Sequence, residues 1–350
     1  MNPLRISLGN VEVGEGLPCL VIAEIGLNHN GNLKLAHQLI DAAFFSGASM
    51  VKFQKRSPSD LAIAEFLDAP FLKCPLFGKT QRDVRNRLEL NIDQLRELKD
   101  HALSLGLMFS SSVFDIKSLN DCLKVGIDVI KVASHSITNA ILLREIANTK
   151  LPVVASLGAS RWEERDKAVE ILSNNPLALL HCVSSYPTAD SLTKLDTIPE
   201  IRRRYGKVVG FSGHDDGIDL SIAAVTLGAS LLERHITINM SMVGLDHLIS
   251  LEPDEFSKMV RIIRRVEKAR GVMDGILIEE QPTRRNYHVA ICAKNEIDSG
   301  KIISQEDIVC KQPLTNEDQF FTGLELEKVI GRRTKTKLSA DKPIPRNSIE

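Results

Sequence analysis

Polar groups able to do acid–base and ligand chemistry recur at the ends of short apolar runs in this 350-residue chain. The stretch "LLERHIT" (231–237) ends an apolar lead-in with Glu233, Arg234 and His235. In a strand, alternate side chains share a face, so Glu233 and His235 point one way and Arg234 the other. Other runs finish alike: Glu24; Lys52 and Gln54; Ser110 to Ser112; Lys131 and Ser134; Ser156; Ser184 and Tyr186; Ser212 and His214. One buried lysine has ordinary explanations, a snorkelling stem or an internal ion pair. Eight runs with polar ends imply one shared site.

The residue types suggest distinct tasks. His214 and His235 end neighbouring runs, and two neutral imidazoles with oxygen ligands suit a divalent ion that keeps open positions. Several first-row ions satisfy such a pair, and no cysteine falls within reach by motif. Lys52 and Lys131, unpaired in an enclosed site, would carry a large desolvation cost that an anionic ligand offsets. Ser134, Ser156 and Ser212 add short donors, so the pocket suits a phosphate, or a phosphate with a carboxylate. Glu24 and Glu233 are the acid–base candidates, their pKa values set by the lysines and the ion; the plain alternative for Glu24 is a buried ion pair. His181, mid-run, reads as structural, and Cys182 as packing.

The elements that must position these groups follow from periodicity. Runs at 20–25, 49–54, 107–112, 128–134, 152–158, 178–184, 208–214 and 231–237 alternate with helical patterns such as "LKLAHQLIDAAFFSG" and "NIDQLRELKDHALSLG". Strand–helix alternation implies a parallel sheet, and eight units fit a (β/α)8 TIM barrel, whose chemistry sits at the C-terminal ends of its strands. No G-x-G-x-x-G opens the first helix, which sets aside a doubly wound dinucleotide fold. Residues 55–90 are too long for one connecting helix and read as an excursion over the barrel mouth or as a solvated basic face. The expected organisation is a catalytic barrel over 1–271, a linker over 272–283 and a small β-rich domain over 284–350.

Bulk properties bound the function. Hydrophobic residues make up 43% and charged residues 25%, and 44 Lys plus Arg balance 45 Asp plus Glu, which disfavours a global affinity for nucleic acid. No run is long and apolar enough to span a bilayer, so no membrane partner is expected. The six cysteines form no C-x-x-C, a pattern that suits reduced thiols and a cytoplasmic location.

Taken in order, "AEIGLNHNG" (23–31), "VKFQK" (51–55), "HCVSSYPT" (181–188), "GFSGHDDG" (210–217) and "LLERHIT" resemble the sialic acid synthase family. "VAICAKNEIDSGKIISQEDIV" resembles that family's C-terminal antifreeze-like (SAF) domain. The resemblance implies condensation of phosphoenolpyruvate with an N-acetylated amino-sugar aldehyde and release of phosphate. It implies that Lys52, Lys131, Ser134, Ser156 and Ser212 hold phosphoenolpyruvate. His214 and His235 would hold a divalent metal ion, Mn2+ first, with Mg2+ or Co2+ as alternatives. Gln54, Tyr186, Glu233 and Asp246 would line the sugar site, and Glu24 would stand near the reacting carbons, making Glu24, Lys131 and Glu233 the catalytic set. A domain-swapped homodimer is implied too, with one subunit's small domain covering its partner's barrel.

The chain departs from the family pattern at several points. Ser134-His135-Ser136 replaces S-G-E, Leu157 stands where Thr is common, Gly213 where Asp is usual, and Gln312 where an arginine would reach the sugar's acyl group. These departures predict a retained phosphoenolpyruvate half and an altered sugar half. Candidate sugars are N-acetylmannosamine, its 6-phosphate and a di-N-acetylated deoxyhexose. Two rival readings are a pyruvate aldolase with Lys131 as Schiff-base nucleophile and a non-catalytic sugar-binding relative.

Overall fold

The computed structural model describes residues 3–313 and 319–350. The chain divides into two compact units, Met1–Arg270 and Gly271–Glu350.

The first unit opens with a hairpin, β1 (Arg5–Leu8) and β2 (Val11–Gly14), paired antiparallel. Eight parallel strands follow: β3 (Leu20–Gly26), β4 (Met50–Lys55), β5 (Met108–Val113), β6 (Val129–Val132), β7 (Val153–Ser156), β8 (Leu177–Cys182), β9 (Val208–Gly213) and β10 (Leu231–His235). They close in sequence order, β10 pairing with β3, so the expected (β/α)8 barrel forms. The helical patterns become Leu33–Phe45, Ile92–Ser104, Asp219–Thr226 and the amphipathic Pro253–Ala269.

Strand alternation divides the core in two. Val21, Ala23, Val51, Phe53, Phe109 and Val209 join the layer between sheet and helices. Leu20, Ile22, Met50, Met108, Val129, Val154 and Leu231 fill the lower barrel, with Leu8 and Val13 of the hairpin among them. The hairpin thus plugs the barrel bottom. It went unread in the sequence because its strands have four residues each and carry no long apolar run. The same alternation carries Glu24, Lys52, Ser110, Lys131, Ser156, Ser212 and Glu233 into the layer above.

The excursion is folded. Short helices Pro58–Leu61, Ala64–Asp68 and Gln81–Leu88 form within it. Val84 and Leu88 bury against Leu27, with Phe71, Phe77 and Leu245 beside them. Leu27 follows β3 and Leu245 follows β10, so the segment packs on loops at the C-terminal mouth.

In the second unit, β11 (Ala290–Ala293) pairs antiparallel with β12 (Ile308–Lys311). Isolated bridges such as Ile297 to Leu338 and Ile302 to Arg333 complete it. Its own core gathers Ile291, Ile297, Ile303, Phe321, Val329 and Ile344. Among the described residues, no helix is long and apolar enough to cross a membrane.

Candidate active site

Register sets the site. Glu24 stands opposite Lys52, Lys52 opposite Ser110, Ser112 opposite Lys131, Glu233 opposite Ser212 and His235 opposite Glu24. All are almost completely buried.

The lysines are not bare. Lys52 Nζ lies 2.6 Å from Glu24 Oε2 and 3.6 Å from Glu233 Oε1, and donates to Ser112 Oγ at 3.0 Å. Lys131 Nζ is 4.0 Å from Glu233 Oε1 and donates to Ser156 Oγ at 2.7 Å and to the Val132 carbonyl at 3.0 Å. The barrel supplies its own counter-charges to both lysines. The plain alternative for Glu24, an ion pair, is present, and it coexists with a place in the cavity. Ser212 Oγ donates to Glu233 Oε1 at 3.1 Å, while Glu233 Oε2 is buried without a hydrogen-bond partner. Gln54 Nε2 donates to Glu24 Oε1 at 2.8 Å.

The two carboxyl groups are driven apart. Burial raises the Glu24 pKa; Lys52 opposes and the Glu233 charge reinforces the rise. Burial also works against the Glu233 anion, but Lys131 and Lys52 outweigh it and hold Glu233 at about 2. Burial keeps Lys131 below the usual lysine value, with Glu233 in opposition. For Lys52, Glu233 and Glu24 overcome burial and raise it.

His214 and His235 meet as expected, ring centroids 5.7 Å apart. His214 Nδ1 donates to the Val183 carbonyl at 3.0 Å, which leaves its Nε2 lone pair free. Burial and the neighbouring His235 hold His214 at about 3, so it is neutral and ready to ligate. Burial lowers His235 also, with Asp246 partly offsetting it, and His235 Nδ1 is a buried nitrogen with no partner. Two metal–nitrogen bonds of about 2.1 Å can bridge rings at this spacing. The residues therefore fit a divalent ion held by two imidazoles. Among the described residues no cluster of three or more His, Cys, Asp and Glu could hold a metal, so further ligands would be water or substrate. One thiol is closer than the motifs suggested: Cys182 Sγ lies 3.9 Å from His214 Nδ1. Burial raises its pKa, which keeps it a thiol. His181 donates to the Thr193 carbonyl at 2.6 Å, a structural role.

Tyr186 stacks at a tilt on His214, ring centroids 4.2 Å apart, and is half-exposed at the mouth. Asp246 is half-buried in the loop after β10. Ser134 Oγ accepts the Gly158 amide at 3.1 Å. Gln312 is exposed in the second unit.

Two glycines escaped the sequence reading. Gly26 has φ +55°, and a Cβ there would stand 3.1 Å from Glu24 Oε1 and 3.3 Å from both Gln54 Nε2 and His235 Cε1. At Gly158 a Cβ would stand 2.7 Å from Ser134 Oγ and 2.8 Å from Ser184 Oγ. Each lets backbone approach the polar cluster. Two departures fall outside the cavity. Leu157 is buried in the layer behind the sheet. A side chain at Gly213 would meet Phe211, Asp215 and Arg234 on the outer face. There Arg234 is fully buried and pairs with Asp215 at 3.0 Å, so Asp215 provides a carboxylate where Gly213 has none.

The NeuB family model matches residues 39–274 and the SAF domain model residues 288–350. The chain belongs to the NeuB family. This NeuB chain is 33% identical over 322 residues to N,N'-diacetyllegionaminic acid synthase of Campylobacter jejuni, covering 89% of this chain and 95% of that one. It is 31% identical to human N-acetylneuraminate-9-phosphate synthase, covering 95% and 93%. Among solved structures, the sialic acid synthetase of Leptospira borgpetersenii, crystallised with citrate, is 31% identical with a TM-score of 0.72, covering 81% of this NeuB chain and 98% of that one.

Proposed function

We propose that the chain is a nonulosonic acid synthase, joining phosphoenolpyruvate to an N-acetylated amino-sugar aldehyde with release of phosphate. One observation carries the reading: a buried Lys52–Glu24–Glu233–Lys131 array lies below a neutral imidazole pair in one barrel mouth. The family membership and the synthase names of the relatives support it.

Lys52, Lys131, Ser134, Ser156 and Ser212 would supply the donors for the phosphate and carboxylate of phosphoenolpyruvate. His214 and His235 would hold the ion, Mn2+ by preference. When bound, it supplies Lewis acidity toward the sugar aldehyde. Carbon 3 of phosphoenolpyruvate bonds to the aldehyde carbon, leaving an oxocarbenium at carbon 2. Water adds there, Glu24 takes its proton while the former aldehyde oxygen gains one, and the tetrahedral carbon expels phosphate by carbon–oxygen cleavage as its hydroxyl proton leaves with the phosphate. A carboxyl whose pKa lies above the ordinary range suits that proton transfer. Glu233 stays ionised between the lysines, its free Oε2 available to a sugar hydroxyl. The lysines hold charge in place throughout, with little reorganisation. Gln54, Tyr186 and Asp246 line the sugar side, and a domain-swapped homodimer would bring Gln312 to it.

The test is phosphate release from phosphoenolpyruvate across a panel of amino-sugar aldehydes. Release that requires both sugar and a divalent ion, and stops with chelator, is expected. Release independent of sugar would overturn the reading. A second reading, Schiff-base aldolase, draws on the lowered Lys131 pKa. Borohydride trapping with pyruvate separates the two: the synthase leaves Lys131 unlabelled.

A further inference from the structure

One corner of the mouth is used neither by phosphoenolpyruvate nor by the imidazole pair. It lies where β4, β5 and β6 end. Arg56 continues the alternation of Lys52 and Gln54. Its Nε donates to Glu89 Oε1 at 3.0 Å, but its Nη2 is buried with no hydrogen-bond partner. A buried charged donor without an acceptor is costly and invites a ligand. The Arg56 guanidinium sits 5.6 Å from the Phe114 ring centroid. His135 stacks on the same ring at 4.8 Å with 14° between planes. Burial first, then the Arg56, Lys131 and Arg85 charges, lower the His135 pKa to about 4, and Arg85 stands one helical turn before Glu89, the partner of Arg56.

Arg85 comes from the excursion helix Gln81–Leu88, stacks over Phe66 at 5.0 Å and makes no ion pair among the described residues. Lys55 and Arg56 share Glu89. Asp115 is taken up by the Ser57 amide and by the amide and hydroxyl of Ser118. Lys55, Arg56 and Arg85 therefore outnumber the corner's carboxylates, Glu89 and Asp115. Ser136, buried, and His135 beside it place no carboxylate in this stretch. A carboxylate there would repel an anion; its absence leaves the corner attractive to one.

We infer that Arg56, Arg85 and His135 bind a phosphate monoester on the sugar, so that the acceptor is a phosphorylated amino-sugar aldehyde. The inference rests on the synthase reading and names its substrate class. Guanidinium forks match phosphate oxygens in pairs, and a neutral His135 ring supplies one further N–H.

The full-length chain with Mn2+ and phosphoenolpyruvate is offered N-acetylmannosamine 6-phosphate, N-acetylmannosamine and a di-N-acetylated deoxyhexose, and phosphoenolpyruvate consumption is followed. The phosphorylated sugar is expected to win in kcat/KM by about 100-fold or more. Arg85→Ala and Arg56→Gln each cut that preference at least tenfold, mainly through the KM of the phosphorylated sugar, whereas Arg85→Lys keeps most of it. Equal or better use of a neutral sugar overturns the inference while leaving the synthase reading intact. So do variants that lower all sugars by the same factor. Consumption with no sugar in the panel, with phosphoenolpyruvate still bound, removes the synthase reading and this inference with it.

Discussion

Glu24 and Glu233 are the same functional group in the same layer, and the barrel pushes them in opposite directions. Glu233 lies between two lysines and stays an anion; Glu24 shares only Lys52, feels burial and feels Glu233. Two carboxyls separated this way divide acid–base work from charge balance. Glu24→Gln keeps the hydrogen-bonding shape and removes the proton acceptor. Turnover should fall by about 10²–10⁴-fold, with phosphoenolpyruvate affinity, measured by calorimetry, nearly unchanged. Gly26→Ala places a methyl against Glu24, Gln54 and His235 at φ +55°. It should cost roughly 1–2 kcal/mol of stability from backbone strain and reduce kcat, both readable from denaturant melts and steady-state kinetics. At this scale much was legible, because a period of two sorts strand residues between cavity and outer layer without knowledge of the fold. The same parity marks Gly213, out of phase with Ser212 and His214, as outward. The pairing of Lys52 with Glu24 and of Lys131 with Ser156 was not legible, since it depends on register between neighbouring strands.

At the scale of elements, the site depends on strands being held in register from outside and below. Arg234 on β10 reaches back to Asp215 after β9 at 3.0 Å and to Ser221 Oγ at 2.9 Å, entirely out of solvent. Removing one partner strands the other charge. Asp215→Ala should therefore destabilise the protein by about 3–5 kcal/mol in chemical denaturation, and a loss under about 1 kcal/mol would show that the pair does not clamp β9 to β10. The hairpin acts from below: Leu8 is fully buried among the lower barrel residues, and Leu8→Ala should cost roughly 2–5 kcal/mol. Sequence periodicity found all eight barrel strands because each is an apolar run framed by a helix. It missed the hairpin, whose burial is decided only when the barrel closes above it. It located the excursion by length alone; the small cluster of Leu27, Val84 and Leu88 joins residues far apart in the chain.

Across the whole molecule, the two units have separate cores. The second unit, short on regular strands, uses charged caps. Asp307 is held at about 2 by Lys301, 2.6 Å away, and by the Ser304 amide and hydroxyl. A carboxyl depressed in the folded state contributes above its unfolded pKa and loses that contribution as pH falls through about 2. The stability gap between wild type and Asp307→Asn should be widest near neutrality and close toward pH 2, as followed by urea melts at stepped pH. A gap constant across that range would remove the carboxylate's part. The central claim is that one barrel mouth joins carbon 3 of phosphoenolpyruvate to an aldehyde and then breaks the carbon–oxygen bond at carbon 2. Phosphoenolpyruvate with a heavy-oxygen label in the bridging position, turned over with sugar and Mn2+, tests it most directly by mass spectrometry of the products. The account requires the label to leave with the phosphate. Label retained in the carbon product would mean phosphorus–oxygen cleavage and would contradict the account.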